Sequence, residues 1–145
     1  LSVGKHGLLG KQSMFDHSIR VPLILTGPDI PKNKSIDGEV YLQDIMATSL
    51  ELGDISPPES IDFKSFLSLA LGKDKTPIHP EGIYAAYMDY QRMIRKDGYK
   101  LIVYPKIKKI LLFDLKNDPF EMNDISQKNE YKDTVKSLFE NLILL

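Results

Sequence analysis

At 145 residues the chain can bury about one sizeable core, or one and a half small ones. Its 42% hydrophobic and 27% charged content is that of an ordinary globular protein. A net charge of −1 gives no basis for a nucleic-acid or anionic-membrane partner, and no apolar run approaches the roughly 20 residues of a membrane span. Cysteine is absent, which excludes disulfides and thiol chemistry and leaves the redox compartment unread.

The chain opens on Gly4-Lys5-His6-Gly7-Leu8-Leu9-Gly10-Lys11-Gln12, which packs cations between glycines. Glycine lets backbone approach a ligand closely, and a lysine in such a loop sets a compact charge on an anion. Residues 21–26 follow as a continuous apolar run closed by Gly27-Pro28, the pattern of a strand buried on both faces of a parallel sheet. Residues 27–38 read as a surface loop. Leu42, Ile45, Met46, Ser49 and Leu50 fall at helical spacing with Gly53 as C-cap, predicting a helix that packs on the sheet. Phe63, Phe66, Leu67 and Ala70 predict a shorter helix ended by Gly72.

Residues 73–80 are the expected linker between a first domain, 1–72, and a second, 81–145. Beyond it the period changes to that of strands at 83–88, 91–96, 100–104 and 109–114. Asp97-Gly98 forms a tight hairpin, because both residues tolerate positive φ. Residues 128–145 close the chain as a helix with Tyr131, Val135, Leu138, Phe139 and Leu142 as its apolar stripe.

Two segments carry a resemblance. The first glycine run, continuing into Phe15-Asp16-His17-Ser18-Ile19-Arg20-Val21-Pro22-Leu23-Ile24-Leu25, resembles the sulfatase family of the alkaline-phosphatase-like superfamily. Gly98-Tyr99-Lys100-Leu101-Ile102 and Leu112-Phe113-Asp114-Leu115-Lys116-Asn117-Asp118-Pro119-Phe120-Glu121 are similar to the hairpin and closing turn of its C-terminal subdomain. The resemblance implies an α/β fold, α+β as a fragment. The C-terminal edge of a sulfatase-type sheet domain is followed by a small four-stranded antiparallel sheet with a C-terminal helix. It implies hydrolysis of a sulfate ester, of a sulfated carbohydrate or a small molecule. The alternatives are a phosphonate or phosphodiester hydrolase of the same superfamily and a noncatalytic self-associating module.

In that family the lysine matched by Lys11 contacts the sulfate; its alternative role is a solvated loop lysine. His6 would shape the pocket or assist the leaving group, with a backbone-bonded loop histidine as its alternative. Lys5 stands where relatives often carry an acid. His79 is a candidate substrate contact. Arg20 reads as a buried structural partner of Asp16, and His17 as a capping or packing residue. Asp114, Asp118, Glu121 and Asp124 invite a calcium reading, but turn chemistry at Asn117-Asp118-Pro119 explains them better. No metal ligand is assigned to this chain.

The family's formylglycine nucleophile, made in a Cys/Ser-x-Pro-x-Arg motif, has no counterpart in the sequence, nor have its acidic ligands for a divalent cation, usually calcium. Residue 1 is neither Met nor part of a signal-peptide pattern. The expectation is therefore a C-terminal fragment, inactive alone, with cofactors and any targeting segment upstream. A periplasmic or extracellular location would follow from such a segment.

Overall fold

Period-2 alternation in residues 83–114 builds a four-stranded antiparallel meander. β3 (Ile83–Tyr87), β4 (Gln91–Lys96), β5 (Tyr99–Tyr104) and β6 (Lys109–Asp114) lie in sequence order. They follow β1 (Ser2–Val3) and β2 (Leu9–Gly10), which pair with each other. The computed structural model describes residues 1–144. It gathers Leu1–Pro22 with the residues from Glu81 onward into one unit, and Leu23–Pro80 into another.

In the first unit, register pairs Ile94 with Leu101 and Leu101 with Leu112, and these point to one face. Met93, Ile102 and Phe113 point to the other, as alternation requires. The C-terminal helix (Lys132–Leu144) covers the first face with Leu138 and Leu142, each worth on the order of 2 kcal/mol by burial. Met14 and Phe15, on the approach to α1 (Asp16–Ile19), cover the second. Residues 1–22 thus share a unit with the C-terminal sheet, across the boundary expected at 73–80.

Asp97 and Gly98 take φ of 53° and 81°, the double left-handed turn that matches strand twist. Edge strand β6 is covered by the following loop: Asp124 Oδ1 accepts the Leu112 amide at 3.0 Å, and Ile125 N–H donates to the Leu112 carbonyl at 2.9 Å. The C-terminal helix is entered through a 3-10 turn at Asn129–Tyr131. Residue 145, the end of the expected helix, lies outside the described residues.

In the second unit, α2 (Asp44–Leu52) and α3 (Leu67–Ala70) are the regular elements. Gly53 caps α2 and Gly72 follows α3 with φ of 68°. Two expectations need correction here. The side of α2 that is buried carries Asp44, Ala47 and Thr48, while Leu42 and Met46 are exposed. The helix packs toward α3, where Thr48 Oγ1 accepts the Phe66 amide at 3.1 Å. Residues 21–26 form no strand, and Val21, Leu23, Ile24 and Leu25 are exposed. A parallel strand needs hydrogen-bonding neighbours, and no described residue supplies one.

Candidate functional site

The glycine loop is closed at its base and open at its tip. β1 and β2 clasp a single 3-10 turn at Lys5–Gly7. Gly4 N–H donates to the Leu8 carbonyl at 2.9 Å, and Ser2 Oγ donates to the Lys5 carbonyl at 2.8 Å. Gly4, Gly7 and Gly10 have φ of 91°, 71° and 97°, where a side chain would be strained. A Cβ on any of the three would meet nothing within 4 Å. Those glycines therefore serve backbone conformation and leave ground that another group can approach.

His6 also takes a positive φ, 54°, uncommon for a residue with a Cβ. Its ring explains the position: it stacks on Phe15 with centroids 4.0 Å apart and planes 8° from parallel. His17 extends the stack, 5.6 Å from His6 and 5.8 Å from Phe15. His6 Nε2 and His17 Nδ1 are buried with no hydrogen-bond partner among the described residues. Burial, then the neighbouring His6 and Lys5, hold the His17 pKa below its ordinary value of 6.5. Lys5, at a position where relatives often carry an acid, puts its Nζ 5.1 Å from the centre of the exposed Phe120 ring, a cation–π contact. Lys11, just past β2, is exposed and makes no hydrogen bond or ion pair among the described residues.

The loop that bears Lys11 and His6 runs into a heavily anchored segment. The Gln12 carbonyl accepts from Gln91 Nε2 at 3.1 Å, and buried Ser13 bonds Ser18 at 2.9 Å. Phe15 and Met14 are core. Lys100 is fully buried under them: its ammonium bonds Asp16 Oδ1 and Glu121 Oε1 and reaches the Met14 carbonyl at 3.4 Å. Glu121, also fully buried, spends its other oxygen on the Asp16 amide, 2.8 Å away. Arg95 reaches Asp16 Oδ2 at 3.4 Å. Both matched segments, the first through Asp16 and the second through Lys100 and Glu121, thus meet in one buried ionic cluster.

Other expected residues have structural partners. His79 belongs to the second unit and is buried; its Nε2 lies 2.8 Å from Asp44 Oδ2. Fully buried Asp44 also accepts the Tyr41 and Lys64 amides at 2.7 and 3.1 Å, and the Tyr41 ring meets His79 edge-on. Arg20 is paired with Asp16 as expected, at 3.9 Å, but its side chain is 73% exposed, so the pair is superficial and not the buried one expected. Asp114 accepts from the Lys116 and Asn117 amides and from Asn117 Nδ2, Asp118 accepts the Asn123 amide, and Asp124 bonds the Leu112 and Ser126 amides. The hydrogen bond from the Asn117 side chain is the main reason the Asp114 carboxyl titrates below the usual value. Among the described residues no three His, Cys, Asp or Glu side chains gather to hold a metal.

Sequence reasoning missed Lys100 as a buried cation and Asp44 as the hub of the second unit. For Lys100 the signal was present, since residue 100 shares strand parity with Ile102 and so points inward.

Comparison with known proteins gives a consistent result. The family described as N-sulphoglucosamine sulphohydrolase, C-terminal, matches residues 4–145. An N-acetylglucosamine-6-O-sulfatase of Bacteroides thetaiotaomicron is 30% identical over 151 residues, covering 97% of this chain and 27% of the relative. Arylsulfatase K of Bos taurus is 30% identical over 150 residues, covering 95% and 27%. The structure of BT4656 in complex with its substrate, D-glucosamine-2-N,6-O-disulfate, is 29% identical with a TM-score of 0.62, over 70% of this chain and 22% of that one. The chain therefore spans little more than a quarter, 27%, of the length of these curated relatives.

Proposed function

This chain belongs to the N-sulphoglucosamine sulphohydrolase C-terminal family, and we propose that it forms the C-terminal part of a sulfuric ester hydrolase, in which Lys11 holds the sulfate group. The observation that carries this reading is the loop itself. Lys11, exposed and without an ion-pair partner among the described residues, directly follows Gly10 in a loop whose three positive-φ glycines have open space where a side chain would stand. Charge on the sulfate oxygens grows as the ester bond breaks. A fixed cation there stabilises the transition state by a few kcal/mol, about 100-fold or more in rate. His6, stacked and held in the same loop, shapes the pocket or assists the leaving group. The small antiparallel sheet, in the same unit as the loop, helps to cover the site and select the alcohol portion.

The substrate class is a sulfated amino sugar. One relative is named for action on N-acetylglucosamine-6-O-sulfate groups, and a related structure holds a disulfated glucosamine. Formylglycine and a divalent cation, calcium in the usual family pattern, would come from polypeptide outside this chain, which alone is inactive.

The test is Lys11→Ala in the complete polypeptide, assayed on an aryl sulfate and on N-acetylglucosamine-6-sulfate. The expected result is a loss of roughly 100-fold in kcat/KM with the melting temperature unchanged. Unaltered turnover removes Lys11 from the site. Faster turnover of an aryl phosphodiester than of the aryl sulfate by the parent enzyme moves the protein to the phosphonate and phosphodiester hydrolases.

A further inference from the structure

The mechanism above uses the loop but not the buried ionic cluster behind it. A fully buried lysine facing two carboxylates, one of them fully buried, is an expensive arrangement, since desolvation offsets much of the attraction. As stability alone it is poor value, because a hydrophobic set of the same volume holds a sheet equally well. What the ionic set adds is direction. Glu121 engages Lys100 with one oxygen and the Asp16 amide with the other, so its carboxylate plane fixes backbone as well as charge. Lys100 adds the Met14 carbonyl. Phe15, between them, is the surface on which His6 stacks, and Gln12, tied to Gln91, directly follows Lys11.

From this we propose that Glu121 and Lys100 are positioning residues: acting through Asp16 and Phe15, they set the height and tilt of the loop that presents Lys11 and His6. This rests on the reading of Lys11 as the sulfate-holding residue. The closing turn of the small sheet would thus reach the reacting group without touching it. Placement within a fraction of an ångström matters for such a cation, and an error near 1 Å costs up to about 100-fold in rate.

The experiment is a double-mutant cycle between Glu121→Gln and Lys11→Ala in the complete polypeptide, with kcat and KM on an aryl sulfate normalised to folded protein. Glutamine keeps the acceptor for the Asp16 amide and removes the charge. The expected result is a fall in kcat of roughly 10- to 100-fold for Glu121→Gln in the parent, shrinking to less than about threefold in the Lys11→Ala background. A merely structural role lowers the melting temperature and gives the same factor in both backgrounds, which overturns the proposal. An unchanged kcat for Glu121→Gln overturns it as well. Where Glu121→Gln does not fold, the charge-matched pair Lys100→Gln with Glu121→Gln replaces it, since Asp16 keeps Arg95 and Arg20 as partners. Failure of Lys11→Ala to reduce turnover is a separate outcome. It sinks the sulfate-holding role, and the positioning proposal with it, whereas failure at Glu121 alone leaves that role standing.

Discussion

Replacing Lys100 by methionine removes one charge and keeps nearly all of the side-chain volume. The structure says what is left behind: Glu121, fully buried, retains a single acceptor contact to the Asp16 amide. Asp16 keeps Arg95 at 3.4 Å and Arg20 at 3.9 Å. Breaking a buried ion pair by deleting one partner costs about 3–5 kcal/mol, because the remaining charge is uncompensated. Methionine fills the stem, so little of that cost comes from a cavity. For a unit of this size each kcal/mol moves the melting temperature by about 4–8 °C, so Lys100→Met should melt at least about 12 °C lower. The assay is thermal and urea unfolding of the 145-residue chain followed by circular dichroism. The companion Lys100→Met/Glu121→Leu removes the stranded charge and should recover about 2 kcal/mol, despite leaving the Asp16 amide without its acceptor. A Lys100→Met loss below about 1 kcal/mol, or a double variant weaker than the single, refutes the enclosed-cluster reasoning.

Four further outcomes follow from local geometry. Asp44→Ala strips His79 and the Tyr41 and Lys64 amides of their shared acceptor, and should cost about 3 kcal/mol or more in urea unfolding. In the complete polypeptide His79→Phe should lower stability while KM for the sulfate ester stays within about twofold, whereas a raised KM at unchanged stability restores His79 as a substrate contact. Gly82→Ala would place a methyl 2.9 Å from the Arg95 carbonyl oxygen at φ of 104°, and a loss of about 2–3 kcal/mol is expected from the same melts. His17 titrates below 6.5 in the folded chain, so the neutral ring is the form the fold prefers. The stability it contributes is present above that value and is lost as pH falls from there through the lower folded pKa. His17→Asn should flatten the slope of melting temperature against pH in that window.

Where a pattern and its partner lie close in sequence, the residues announced the structure. The bounds of β4 and β6 match expectation because alternation and the Asp97-Gly98 turn are local signals. The glycine loop was legible for the same reason, since only glycine adopts its repeated positive φ without strain. The buried face of α2 was not, because the apolar spacing named Leu42 and Met46 while burial went to Asp44 and Thr48, whose value depends on hydrogen-bond partners elsewhere in the fold. The ionic cluster shows the same rule at longer range. Lys100 and Asp16 are 84 residues apart, and no window on the sequence contains both. Yet strand parity puts Lys100 on the face of Ile102, and a lysine on an apolar face demands carboxylates. Asp16 sits beside core Phe15, and Glu121 closes the turn after β6, the strand that pairs with β5. Reading parity before charge turns a lysine that looks solvated into a search for two acids, and the closing turn and the Phe15-Asp16 step are where that search ends.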